Sequence, residues 1–160
     1  MPEFIAPVIA KLTEILQART PALLAAAQRG EFVDWGHAWT GVFGGIPGVR
    51  VSAVRSEFDP ESTPCHARHQ ARIKLAVTGT DPDDVHAAAI AYVKAVHLAL
   101  AASWPGDWVG TPAGGVTIRL FVMGHDYGPL FEGKGMVVKF PEMDVLVETE
   151  ENWPAGVEGV

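Results

Sequence analysis

Ile73-Lys74-Leu75-Ala76-Val77-Thr78, followed at once by Gly79-Thr80-Asp81-Pro82-Asp83-Asp84, is the stretch on which the fold turns. Ile73, Leu75 and Val77 alternate with Arg72, Lys74, Ala76 and Thr78, the period of a strand with one apolar face. Such a face predicts an antiparallel sheet covered on one side only. The next residues are a helix start. Asp81 has a carboxylate that can accept orphan backbone N–H groups. Pro82 suits the first helical position, where its missing N–H costs nothing. Asp83 and Asp84 oppose the positive end of the helix. The helix is expected to run to Ala102, with Val85, Ala88, Ala89, Tyr92, Val96 and Leu100 as its buried stripe.

Working outward, the strand is expected from His66, and an earlier strand covers Val49 to Phe58. Asp59 to Pro64 forms the loop between them. At the N-terminus, Ile5, Val8, Ile9, Leu12, Ile15 and Leu16 recur at helical spacing over Phe4 to Gln28. Thr20-Pro21 is expected to divide this helix, because the residue before proline is pushed out of the α region. A second short helix, Pro21 to Arg29, would then stop at Gly30. Glu31 to Gly48 reads as an ordered loop, since its glycines argue against a helix. Ser103 to Gly115 is a second loop, and Val116 to Met123 a third strand. Gly124 to Gly135 reads as a long hairpin connection. Met136 to Phe140 and Asp144 to Thr149 form the last strand, kinked at Pro141, before a loose tail from Glu150. The order is α-β-β-α-β-β. It predicts an α+β two-layer domain in which a mostly antiparallel four-stranded sheet is packed by the N-terminal and central helices.

The 160 residues fit a single domain, 1–160, with 48% hydrophobic and 19% charged residues. The formal net charge of -7 disfavours general binding to nucleic acid. A single cysteine, Cys65, rules out an intrachain disulfide. Met1 to Ala10 contains Glu3 and no basic run, so it does not read as a signal peptide. The longest apolar stretch is interrupted by His86, Lys94 and His97 and is expected not to span a bilayer. The expected location is the cytoplasm.

No constellation for chemistry emerges. Cys65, His66 and His69 carry zinc-ligand chemistry, but no second pair of ligands is suitably spaced. His66 and His69 would also face opposite sides of a strand, and they read instead as polar residues entering an exposed strand face. His125-Asp126 could suggest a base and its orienting carboxylate, yet neighbours in sequence rarely pair that way, and no serine lies in a G-x-S-x-G elbow. A polar hairpin tip explains them. The glycine-rich stretches Gly41–Gly48 and Gly110–Gly115 lack both phosphate-loop patterns. The chain is therefore read as a non-enzyme, with no cofactor and no metal.

Two features point to other proteins as partners. Trp35, Trp39, Trp104, Trp108 and Trp153 all fall in expected loops or the tail, and tryptophan is enriched at interfaces. With Phe43, Tyr127 and Phe131, the rings of Trp35, Trp39, Trp104 and Trp108 are the candidate interface residues. The alternative is that they fold back over the core. Charge is uneven too. Arg50, Arg55, Arg68, Arg72 and Lys74 cluster in one region. Pro141 to Val160 holds Glu142, Asp144, Glu148, Glu150, Glu151 and Glu158 with no lysine or arginine. Complementary patches suit a head-to-tail contact; on charge alone, salt bridging within one sheet is the better reading.

The helix around Val8-Ile9-Ala10-Lys11-Leu12, and above all the strand-turn-helix from His69 to Asp84 continued through Ala87–Leu100, resembles phage tail-terminator and related tail-completion or neck proteins. The resemblance covers Phe4 to Thr149 and is one of topology, without a diagnostic motif. It implies a structural subunit of a virion tail or neck, assembled in the host cytoplasm. It implies a homo-oligomeric ring, typically hexameric, that caps the tail tube and presents a surface to the head-side connector. The partners so implied are copies of itself, the tail tube protein and the connector, with no membrane and no nucleic-acid sequence recognition. Alternatives from other classes are a small-molecule- or metal-binding α+β domain, which could be an enzyme, and a dimeric adaptor domain.

Overall fold

The computed structural model describes residues 5–38, 43–59, 61, 65–112 and 115–151. The elements in order are α1 (Ala6–Ala26), β1 (Asp34–Gly36), β2 (Gly48–Asp59), β3 (Cys65–Gly79), α2 (Pro82–Ser103), a 3-10 turn (Gly106–Trp108), β4 (Gly115–Asp126), β5 (Leu130–Gly133), β6 (Met136–Lys139) and β7 (Glu142–Glu151). Two helices pack on one face of a mostly antiparallel sheet, so the α+β two-layer architecture expected from the sequence is what the chain adopts. Among the described residues the sheet has seven strands rather than four.

The four long strands lie in the order β2-β3-β7-β4, each antiparallel to its neighbour. β3 is long enough to take two partners end to end. β7 pairs with its Cys65–Lys74 part and β6 with Val77–Gly79. The break between them falls at Phe140-Pro141, where the Pro141 carbonyl still accepts the Leu75 N–H at 2.7 Å. The expected kink is therefore a switch of strand along one continuous edge. β5 and β6 form a hairpin around Lys134-Gly135, both at positive φ (51° and 75°), the geometry that matches strand twist. The long connection expected from Gly124 is thus mostly strand, since β4 runs on to Asp126.

Two further expectations are corrected. α1 is one helix with Pro21 inside it. Leu16, Thr20 and Leu24 are all buried on the same side, so burial on both sides of the proline outweighs its local cost. Thr20 does not cap a new helix; its hydroxyl donates to the Leu16 carbonyl at 2.5 Å. The helix ends on Gln28 at φ 58°, not on Gly30. The Arg29 and Gln28 N–H groups return to the Leu24 and Ala25 carbonyls at 2.8 and 3.0 Å.

The expected loop Glu31–Gly48 contributes β1, which pairs in parallel with Gly48–Arg50 of β2. Asp34 organises it. Its carboxylate accepts the Gly44 N–H at 2.6 Å and the Arg50 guanidinium at 2.8 Å, and this guanidinium bond holds Asp34 below the usual carboxylate range. Gly48 has no side chain because one would run into the Phe43 ring.

α2 begins as its sequence dictates, with the Asp81 carboxylate accepting the Asp84 N–H at 2.9 Å. By length and composition α2 is apolar enough to cross a membrane, contrary to the expectation from its polar interruptions, but half of that window is buried inside the protein. Of the expected stripe, Ala88, Ala89, Tyr92, Val96 and Leu100 join Ile73, Leu75, Val77, Val145 and Val147 in the core, and Val85 is buried as well.

Candidate interaction surface

The basic and acidic segments meet within the sheet, the reading that charge alone favoured. On the face away from the helices, Arg72 pairs with Asp144 (2.9 Å), Lys74 with Glu142 (3.6 Å), and both Arg68 (3.5 Å) and Arg119 (2.9 Å) with Glu148. The β3–β7 register places the first two pairs directly opposite each other. Neighbouring strands of one sheet thus bring the basic and acidic segments together without a second copy.

His69, expected on an exposed strand face, is fully buried on the core side of β3. Ser56 lies 2.8 Å from its Nδ1, and Thr149 and Glu151 lie 3.3 and 3.5 Å from its Nε2. Both ring nitrogens are engaged, so His69 is a satisfied core histidine. His66 faces the other way, toward Glu148 at 3.7 Å. Burial, then Glu151 and Asp59, push the Cys65 thiol up, which keeps it protonated and a poor ligand. Among the described residues no group of three or more His, Cys, Asp or Glu side chains is placed to hold a metal.

The candidate rings divide. Trp108 is 2% exposed, and its indole N–H donates to the Ser103 hydroxyl at 3.0 Å. It is core, as the fold-back alternative has it, and offers no surface for a partner. Trp35, Trp104 and Tyr127 are half-buried against the core, and Trp35 meets the Phe32 ring edge-on. Phe43 stacks on Phe140 beneath the Arg50 guanidinium. Phe131, on the β5–β6 arm, is 51% exposed. Trp39 and Trp153 lie outside the described residues, as does the tail from Asn152 onward.

Four exposed apolar side chains gather on β4. Val116 and Met123 are each 53% exposed, and Ile118 and Phe121 are exposed as well. Register shifts at Thr117/Arg119 and Val122/Gly124 break the strict alternation. Leu120 and Val122 pair with the core residues Val147 and Val145, while Phe121 points to the opposite face beside Arg119. β4 pairs only with β7, so its other edge is open among the described residues. The signal was in the sequence: Phe121 and Met123 occupy what would be the polar positions of that strand.

Beside β4 a groove runs along α2, lined by Ile90, Leu98, Ala101, Trp104 and Leu120. His97 and His125 meet in it, Nδ1 to Nε2 at 2.8 Å. Burial, and then His97, hold His125 below the ordinary imidazole value. Asp126, its neighbour in sequence, does not orient it; that carboxylate accepts the Gly128 N–H at 2.8 Å. Lys94 and Tyr127 line the groove around this pair.

The molecule is thus a two-layer α+β domain whose most conspicuous surface is an apolar, open strand edge. No protein-family model matches the chain, and no curated protein does. Among solved structures, a chain from the virion of a native gene transfer agent (GTA) particle has the same fold. The TM-score is 0.54, over 92% of this chain and 99% of that one, at 19% sequence identity. At that identity the likeness establishes the fold.

Proposed function

We propose that this chain is a structural subunit of a phage-like particle, without enzymatic activity. More specifically, it forms a closed homo-oligomeric ring of the tail-terminator kind, which caps a tail tube and meets the head-side connector. The observation that carries the reading is the open apolar edge of β4, on a fold that matches a virion chain over nearly the full length of both. Monomers seldom leave so long and apolar an edge uncovered, because it templates pairing with other chains. A ring requires two different faces on each copy. Among the described residues, the open edge of β4 and the Ser52–Asp59 part of β2, beyond β1, stand at opposite sides of the four-stranded part of the sheet.

Electron microscopy tests this reading. The purified chain should give rings of uniform diameter, and added to growing tail tubes it should stop their growth and mark one end. Tubes that grow unchecked beside unattached protein would refute the capping role.

A further inference from the structure

We infer that the ring closes edge to edge, with β4 of one copy adding antiparallel to β2 of the next. The inference rests on the ring reading and names the contact that would build it.

Both edges are open over long spans among the described residues. β4 has β7 on one side only. β1 covers β2 over Gly48–Arg50, and the His37 ring lies 3.2 Å from the Val51 carbonyl; from Ser52 to Asp59 no described strand lies on the side away from β3. Open strands present backbone donors and acceptors to any strand that can lie beside them. Neither edge carries lysine or proline across these spans, although these are the residues that commonly block pairing.

Direction fits as well. The four strands β2, β3, β7 and β4 alternate, so β4 runs opposite to β2. Copies related by rotation about a ring axis keep these senses, and β4 beside the next copy's β2 continues the antiparallel pattern without a break. The side chains fit in the same orientation. β2 runs from Arg55 to Glu57 and Asp59, and β4 from Arg119 to Asp126. Antiparallel apposition brings Arg119, which also holds Glu148, beside the next copy's Glu57, which also pairs with Arg55. In the neighbouring register exposed Val54 and Phe121 come together. The regular run Arg119–Val122, between the two register shifts of β4, is the part placed to pair.

Cysteine cross-linking tests this contact in a Cys65→Ser background. One batch carries Val54→Cys and another Phe121→Cys; they are mixed, left to exchange and mildly oxidised. A second pair, Glu57→Cys with Arg119→Cys, covers the neighbouring register. A disulfide requires Cα atoms within about 7 Å. The expected result is a covalent dimer in the mixture of at least one pair and in none of the single batches. The chain carrying both cysteines of that pair should give a ladder of covalent multimers. If light scattering shows a closed oligomer but Phe121→Cys links only to itself, or neither pair links, the edge-to-edge contact is wrong and the ring reading stands. A monomer at every concentration overturns both.

Discussion

Arg72 sits directly opposite Asp144 in the β3–β7 ladder, and its guanidinium holds that carboxylate through bonds of 2.9 and 3.4 Å. Of the two readings the charge pattern offered, pairing within one sheet and contact between chains, the pair fulfils the first. Exposed pairs of this kind are worth about 0.2–1 kcal/mol. Arg72→Ala should therefore cost no more than about 1 kcal/mol in urea unfolding, and should leave the state of assembly unchanged. Loss of the oligomer in Arg72→Ala, with stability intact, would restore the inter-subunit pairing.

Burial reverses the role expected for Trp108. Its ring fills the core beneath the turn after α2 and its N–H satisfies Ser103. Trp108→Ala should cost about 3–5 kcal/mol. Trp108→Phe, which keeps most of the ring and loses the bond, should cost less. Thermal unfolding measures both, and a Trp108→Ala variant that unfolds like the parent would put the ring at the surface.

The His97–His125 pair makes stability depend on pH. The folded protein holds His125 below its ordinary value of 6.5, so the unfolded chain takes up that proton first as pH falls. The stabilisation is complete above the ordinary imidazole value and is lost progressively from there down to the lower folded value. His125→Gln should flatten this part of the stability profile. Denaturant midpoints measured from pH 8 to pH 5 would show it; a wild-type slope retained in the variant would exclude His125 as its source.

Surface aromatics should separate assembly from folding. Phe121 on β4 and Phe131 on the hairpin arm are both exposed. Surface changes of this sort usually shift stability by about 0.5 kcal/mol or less. Phe121→Ser and Phe131→Ser should keep the melting temperature within a few degrees, while at least the β4 variant shifts the mass distribution toward monomer. A matched fall in melting temperature and mass would assign these rings to the fold.

The sequence was most legible where local chemistry and tertiary packing agree. Asp81-Pro82 starts α2 as its cap residues dictate, and the alternation from Arg72 to Thr78 gives the inward face of β3. It misled where burial overrides local preference. Pro21 sits inside α1 because both its flanks are buried, and His69 lies in the core because Ser56, Thr149 and Glu151 satisfy it there. β1 was not legible because Asp34, Gly44 and Arg50 meet only through the folded loop. At Trp108 the loop position misled, since a ring of that size is as useful for closing a core as for meeting a partner. The better signal was Phe121 and Met123 at positions where a half-buried strand places polar residues.

The most direct test is the absolute solution mass, taken by light scattering on a sizing column across a wide range of concentrations. A structural ring subunit gives one closed species, near six copies on the tail-terminator resemblance, which dissociates only on dilution. A single-chain mass at all concentrations, for a chain that circular dichroism shows to be folded, would contradict self-assembly into a ring.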